Sequence, residues 1–92
     1  MLINNRSAMK ITLKLFASLT DYLPAADRTS NITQLDIAPA STILQIIEPL
    51  GMPHKLVHLV LVNGVYIDPD KRATRTLQEG DVLAIWPPIA GG

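Results

Sequence analysis

Only one stretch of this chain carries the 3.6-residue period of a helix, and it is too short to build a fold by itself. Ile43, Ile46, Ile47 and Leu50 recur at the i, i+3, i+4, i+7 spacing that puts apolar side chains on one helix face. Pro39-Ala40-Ser41 announces the segment, and the Ser41 hydroxyl can accept an orphan N–H of a first helical turn. Pro49 lacks the N–H that would bond the Gln45 carbonyl, so the regular helix should end or kink near Glu48. Gly51 suits the left-handed position just past a helix end, and Pro53 closes the exit. A lone amphipathic helix must bury its face on something else, and the remainder of the sequence offers strands.

Lys10-Ile11-Thr12-Leu13-Lys14-Leu15 alternates polar and apolar without a break, which predicts a half-buried strand with Ile11, Leu13 and Leu15 inward. Phe16 then falls on the polar parity. Ser18 to Pro24 reads as a turn or short helical excursion, with Leu19, Tyr22 and Leu23 tucking back. Asn31 to Ile37 reads as a second strand, joined to the first by a loose hairpin loop through Ala25, Ala26, Asp27 and Arg28. After the helix, Leu59 to Val62 is a short apolar strand, and Asn63-Gly64 is a strong hairpin signal because both positions tolerate positive φ. Val65 to Ile67 returns as a short strand. Leu77 to Asp81 is a compact turn, and Val82 to Trp86 is the last strand, stopped by two prolines that cannot donate to a ladder. The order strand, strand, helix, strand, short strand, strand predicts an α+β roll, one helix laid across a mixed sheet of about four to five strands.

Ninety-two residues make one domain with one modest core, a chain of this size burying about 60–65% of its unfolded surface. Hydrophobic residues are 48% of the chain and charged residues only 17%, so the surface should carry more apolar area than usual, a hint of a partner surface. The net charge of zero lacks the footprint of a nucleic-acid binder. Lys71, Arg72 and Arg75, balanced by Asp68 and Asp70, read as a solvated loop. With no cysteine, neither a disulfide, a zinc-thiolate site nor a cysteine nucleophile is possible, and any sulfur chemistry must use something other than a side-chain thiol. No apolar run reaches membrane-spanning length. Residues 1–8 lack the apolar core of a signal peptide and are expected to be a disordered polar leader, with Met9 as an alternative start and the cytoplasm as the default location. The domain proper is then 9–86, and 87–92 an extended tail.

That tail is the most telling segment. Pro87-Pro88 restricts its base to extended conformations. Ile89 and Ala90 follow, and Gly91-Gly92 gives the thinnest backbone a chain can have, able to thread a narrow channel. A stiff stem with a slender tip delivers an end group into another protein's active site. Terminal residues are often merely disordered, but a double proline and a double glycine together favour the functional reading. The Gly92 carboxylate is a poor electrophile and needs a better leaving group before it can react.

At this point the chain resembles the MoaD/ThiS sulfur carriers, over Met9 to Gly92. Lys14-Leu15-Phe16-Ala17-Ser18-Leu19 looks like the family's first strand and its exit, and Leu61-Val62-Asn63-Gly64 like its central hairpin. The specific match is Leu77-Gln78-Glu79-Gly80-Asp81-Val82-Leu83-Ala84-Ile85-Trp86-Pro87-Pro88-Ile89-Ala90-Gly91-Gly92, its last turn, strand and tail. The resemblance implies a β-grasp (ubiquitin-like) fold with the first and last strands adjacent, parallel and central. It implies that a ubiquitin-activating-type adenylyltransferase uses ATP to make an acyl-adenylate of Gly92, which a sulfur donor such as a cysteine desulfurase or rhodanese converts to a thiocarboxylate. Such a carrier has no catalytic residues and no permanently bound cofactor or metal of its own; it contributes position.

Parity places Phe16 and Trp86 on the face away from the helix, and adjacent first and last strands would bring them together, with Tyr66 able to join them. In the family, positions matching Phe16, Tyr66 and Trp86 belong to the surface that docks the partner enzyme, where aromatic anchors commonly dominate. For Tyr66 a purely structural role fits equally well. His54 and His58 are spaced i, i+4 but lack a third metal ligand, and read as an exposed pair. Asp68, Asp70, Glu79 and Asp81 read as turn carboxylates held by local hydrogen bonds. Arg72 and Arg75 could meet an acidic partner patch, but a solvated loop is the simpler reading.

The Pro87-Pro88 pair looks more like molybdopterin carriers than thiazole carriers. The resemblance thus implies the small subunit of molybdopterin synthase, giving sulfur to cyclic pyranopterin monophosphate in molybdenum cofactor biosynthesis, with a large subunit owning the catalytic residues, in a heterotetramer. Trp86 in place of a more usual phenylalanine, and a longer Asp68 to Thr76 stretch, depart from that pattern. A carrier for thiamin thiazole or tRNA thiolation, a ubiquitin-like modifier joined to lysines through Gly92, and a plain β-grasp binding module are the alternatives.

Overall fold

The computed structural model describes residues 8–89; residues 1–7, most of the expected leader, and the tail positions Ala90, Gly91 and Gly92 lie outside the described residues. Strand β1 (Met9–Leu15) shows the burial its alternation demands, with Ile11, Leu13 and Leu15 at most 1% exposed. It pairs antiparallel with β2 (Ile32–Ile37) and parallel with β5 (Val82–Trp86). Strand β3 (Leu59–Val62) pairs antiparallel with β5 on one side and with the two-residue β4 (Val65–Tyr66) on the other. The sheet order is β2-β1-β5-β3-β4, so the first and last strands are its centre. This is the expected α+β roll, a ubiquitin-like β-grasp, with five strands and one main helix.

The connection from β1 to β2 contains the short helical excursion expected over Ser18 to Pro24, and only the part through Ala25 to Arg28 is more ordered than the loose loop expected there. Two short 3-10 turns, Ala17–Tyr22 and Ala25–Asp27, carry Leu19 and Leu23 into the core. Thr33 Oγ1 donates to the Asp27 carboxylate at 2.7 Å and Arg28 Nε to the Leu23 carbonyl at 3.0 Å, fastening the excursion to the sheet.

Helix α1 (Ile43–Ile47) presses Ile43, Ile46 and Ile47 onto the sheet and passes into a 3-10 turn at Glu48–Leu50, the change that Pro49 dictates. Gly51 then takes φ 79°, the left-handed conformation that ends the segment. The cap differs from expectation. Thr42, not Ser41, is the N-cap: its hydroxyl accepts from Gln45 N–H at 3.2 Å, and the Gln45 side chain accepts from Thr42 N–H at 2.9 Å. Ser41 instead donates to the Ala38 carbonyl at 2.6 Å, bracing the turn one residue earlier. The remaining orphan donors find backbone acceptors in the loop after β4: Ile43 N–H bonds the Arg75 carbonyl at 3.0 Å and Leu44 N–H the Arg72 carbonyl at 3.1 Å. Every N–H of the first helical turn is thereby satisfied, which allows so short a helix to end against protein rather than water.

Asn63 and Gly64 both take positive φ, 52° and 84°, as the primed hairpin turn requires. Asn63 does more than turn the chain. Its amide donates to Asp81 Oδ1 at 2.9 Å, and its carbonyl oxygen accepts from Val82 N–H at 2.8 Å, locking the hairpin to the start of β5.

Replacing Thr42 by alanine should lower stability by about 1 kcal/mol, the usual worth of an N-cap. Ser41→Ala should cost clearly less, since it touches no helix donor. Urea midpoints of the two variants against the parent check the assignment.

Candidate functional site

The last strand hands the chain to its tail at a point held from both sides. Phe16 N–H donates to the Ile85 carbonyl at 3.2 Å, extending the parallel β1–β5 ladder one residue past β1. On the other side His58 N–H donates to the Trp86 carbonyl at 3.1 Å. The next two residues, Pro87 and Pro88, have no N–H to offer, and the tail leaves the sheet there. Ile89, 82% exposed, is the most exposed large apolar side chain among the described residues.

Phe16 and Trp86 meet as expected from their parity. Their rings are stacked, with centroids 4.1 Å apart and planes within 1°. Both are half-buried, so the stack presents aromatic surface to solvent beside the tail base. Tyr66 lies on the same face but does not reach the stack: it is the register partner of Leu61, which faces Ala84, which faces Lys14. At 51% exposed on the edge strand, it forms the far end of an apolar row running Tyr66, Leu61, Ala84 across the sheet. An open groove of about 470 Å³ borders the stack, lined by His58, Leu59, Trp86, Pro87, Pro88 and Ile89. Among the described residues His58 is the only ionisable one lining it.

The basic loop is corrected by the structure. Arg72 is not solvated: it is 6% exposed, with Nη1 donating to the Val57 carbonyl and Nη2 to the His58 carbonyl, each at 2.9 Å. Its Nε is buried without a protein acceptor, and the residue borders a small cavity of about 210 Å³ with Leu44, Ile47, His54, Val57 and Pro69. Burial lowers the guanidinium's pKa from its ordinary value, and nearby Tyr66 raises it. Arg75 stays exposed, its Nε on the Thr76 carbonyl at 3.2 Å. The stretch Asp68 to Thr76 is therefore structural: it caps α1, and it sends one arginine beneath β3.

The other weak candidates stay apart. His54 bonds Glu48 at 3.0 Å, both exposed, and His58 is exposed without a share in that pair. Among the described residues no group of three or more His, Asp or Glu side chains could hold a metal ion. Glu79 accepts from Lys10 N–H at 2.9 Å, and Asp81 from Gln78 N–H at 2.8 Å and from Asn63, as turn carboxylates do. Lys10 pairs across the strands with Asp36 at 2.9 Å; that hydrogen bond, and then the charge of Asp36, raise the lysine's pKa. No helix among the described residues is long and apolar enough to cross a membrane.

Gly92, Gly91 and Ala90, the tip of the expected threading tail, lie outside the described residues; Pro87, Pro88 and Ile89 are its visible base. Sequence reasoning did not find Arg72, Thr42 or the Asn63–Asp81 bond. Thr42 had a signal, the Thr-x-x-Gln spacing of a capping box. Arg72 had none, since its acceptors are carbonyls 14 and 15 residues away.

The element order, the central parallel pair and the single crossing helix define a ubiquitin-like β-grasp domain. The sequence profile described as Mut7-C ubiquitin matches residues 8–90, and the chain belongs to that family. Comparison with curated protein sequences gives no match. Among solved structures, the small archaeal modifier protein 1 of H. volcanii superposes with a TM-score of 0.64 at 21% identity, covering 88% of this chain and 99% of that one. A putative molybdopterin converting factor subunit 1 from Pyrococcus furiosus gives 0.63 at 18% identity, covering 88% and 99%. In the complex of subunits 1 and 2 of the molybdopterin-converting factor from Helicobacter pylori, the match gives 0.52 at 19% identity, covering 91% and 100%. At these identities the likeness is one of fold: this chain shares the architecture of carriers and modifiers alike.

A double-mutant cycle on Phe16→Leu and Trp86→Leu should return a coupling of about 0.5–1.5 kcal/mol beyond lost burial, the worth of a stacked pair. Denaturation of the two single variants and the double variant measures it.

Proposed function

We propose that this protein is a sulfur carrier that works through the carboxylate of Gly92, as the small subunit of a molybdopterin synthase. The observation that carries the reading is the exit of β5. A strand end pinned on both flanks hands the chain to Pro87, Pro88 and an exposed Ile89 beside a half-buried aromatic stack, and the sequence runs on from there to Gly91-Gly92. The architecture shared with subunit 1 of the molybdopterin-converting factor, which in H. pylori occurs in complex with subunit 2, supports a large-subunit partner.

In this reading an adenylyltransferase of the ubiquitin-activating type joins the Gly92 carboxylate to the α-phosphate of ATP, and pyrophosphate leaves. The outer sulfur of a persulfide on a cysteine desulfurase or rhodanese then attacks the acyl carbon and AMP departs; a thiol reductant cleaves the S–S bond of the resulting acyl disulfide, leaving a thiocarboxylate and a mixed disulfide that a second thiol reduces. Phe16 and Trp86 dock the partner, with Tyr66 at the rim of the same face. Pro87, Pro88, Ile89, Ala90 and Gly91 thread its channel, and cyclic pyranopterin monophosphate receives the sulfur. The carrier supplies no bound cofactor; ATP is consumed on the partner.

Intact-mass analysis of the protein from its native host tests this, and fixes the last residue in the same measurement. The expected result is a species about 16 Da heavier, sulfur replacing one terminal oxygen, that disappears when Gly92 is deleted while the fold is kept. Conjugates to lysines, lost on the same deletion, would make it a modifier of the kind its H. volcanii structural relative is named for. An unmodified terminus, with function indifferent to the deletion, would leave a plain binding module.

Trp86→Glu should weaken capture of the activating enzyme or large subunit at least tenfold while lowering the unfolding midpoint only modestly, because the ring is half outside the core. Titration calorimetry beside thermal denaturation separates the two effects.

A further inference from the structure

We propose that Arg72 is a positioning residue that sets the exit of the tail. The inference deepens the carrier reading and rests on it only where turnover is concerned; the mechanical part stands on the domain alone.

The argument follows a chain of hydrogen bonds. Leu44 N–H, in the first turn of α1, donates to the Arg72 carbonyl at 3.1 Å, so the arginine's backbone is fixed to the helix. Its guanidinium reaches under β3 to the carbonyls of Val57 and His58, each at 2.9 Å. The N–H of the same His58 donates to the Trp86 carbonyl at 3.1 Å, and Trp86 is the last residue before Pro87-Pro88. A continuous path thus runs from the helix N-terminus through Arg72 to the final peptide of the strand that launches the tail.

The last link needs this support. In the β3–β5 ladder Leu59 is the register partner of Trp86; the bond from His58 to the Trp86 carbonyl is additional to that pairing and one residue out of step with it. It comes from a segment that regular pairing does not hold: Pro53 to His58 makes a 3-10 turn at His54–Leu56 and has no strand partner of its own before Leu59. The two carbonyls that Arg72 grips are those of the last two residues of this segment. A planar guanidinium with two donors fixes both their position and their orientation. A lysine ammonium could fix one of them only as a point charge. The residue is buried at an energetic cost, since desolvation works against its charge and no carboxylate lies within ion-pair distance among the described residues. An apolar residue of similar length would fill the same space without that cost, so the charge has a use that filling volume does not explain.

Positioning predicts a split in kinetics. Arg72 lends no side chain to the docking face, and the Phe16–Trp86 stack is set by the β1–β5 register, so the KM of the activating enzyme for this carrier should hold. The angle at which the tail enters should drift, and kcat should fall, because small misplacements of a reacting group are expensive.

The test uses the whole chain with Arg72→Met and Arg72→Lys. By amide hydrogen exchange, Arg72→Met should lose at least tenfold protection at His58 N–H. The Asn63 amide, bonded to Val82 at the other end of the same ladder, should keep its protection relative to global unfolding. Arg72→Lys should fall between. In ATP–pyrophosphate exchange with the host's activating enzyme, kcat should fall at least tenfold for Arg72→Met with KM within twofold. Unchanged His58 protection in both variants overturns the inference, whatever the wild type does with ATP. So does equal loss at His58 and Asn63, which marks a merely structural arginine, or lost protection with kcat intact. If Arg72→Met fails to fold, Arg72→Lys decides alone: selective loss at His58 with lowered kcat supports positioning, and wild-type behaviour overturns it. A wild type that forms no acyl-adenylate sinks the carrier reading and leaves the exchange result to judge the tether.

Discussion

The parallel pairing of the first strand with the last is the constraint on which the rest of this domain depends. Leu13 and Leu15 lie in register with Leu83 and Ile85, and all four are fully buried beneath α1. Each such side chain contributes about 1.5–3 kcal/mol by leaving water, so this seam holds a large share of a small core. Parallel neighbours cannot be joined by a tight turn, so everything between Phe16 and Asp81 is in effect one long crossover. β2, the helix and the β3–β4 hairpin are what that crossover does with its length. The pairing also has a consequence on the opposite face. Once Leu15 stands beside Ile85, the next residues along must stand side by side as well, and those are Phe16 and Trp86. The aromatic stack is therefore a by-product of the same register that builds the core, and it appears where the tail departs.

A domain of this size has little apolar surface to spare for holding loops, and it uses hydrogen bonds to carbonyls instead. The helix is one example: with five α-helical residues it could not persist alone, and its first N–H groups are taken by Thr42 and by the carbonyls of Arg72 and Arg75. Arg72 is the other, serving the helix with its backbone and the segment before β3 with its side chain. The two roles make the stretch after β4 a strut between the helix and the segment that leads into β3.

What the sequence made legible, and what it hid, divides along the range of the interactions. The strands, the break at Pro49, the left-handed Gly51 and the Asn63-Gly64 turn were readable because each is decided by residues a few positions apart. Even the Phe16–Trp86 meeting was readable, once the resemblance supplied the strand order, because parity alone then does the geometry. The N-cap was placed one residue early because Ser41 and Thr42 are both competent; only the reciprocal bond from Gln45 chooses between them, and that clue lay in the spacing. Charged residues in turns are usually solvated, so the sequence alone leaves Arg72 in water. Nothing local says that two backbone carbonyls, left over where a 3-10 turn meets a strand, will need a donor. The same holds for Asn63, whose side chain satisfies Asp81 and Val82 across a gap no periodicity encodes.

A domain can govern a rate through the aim of its tail alone, and the exit of β5 indicates how. A tail hinged freely at its root would explore a wide cone, and its tip would spend little time at any one point inside a partner. Two prolines narrow the cone but do not aim it, since they stiffen the chain relative to Trp86 and leave the orientation of Trp86 itself to the sheet. Aim comes from the two bonds that clamp the last strand, Phe16 N–H to Ile85 on one flank and His58 N–H to Trp86 on the other. The first belongs to the central parallel ladder and is as firm as the core. The second lies off the regular register and is only as firm as what holds His58. On that flank, beyond the regular Leu59–Trp86 pairing, the protein places a buried guanidinium in spite of the desolvation that opposes it. Ordering these atoms in advance moves an entropic cost from the encounter to the folding of the domain, which is the contribution a carrier can make to chemistry performed elsewhere.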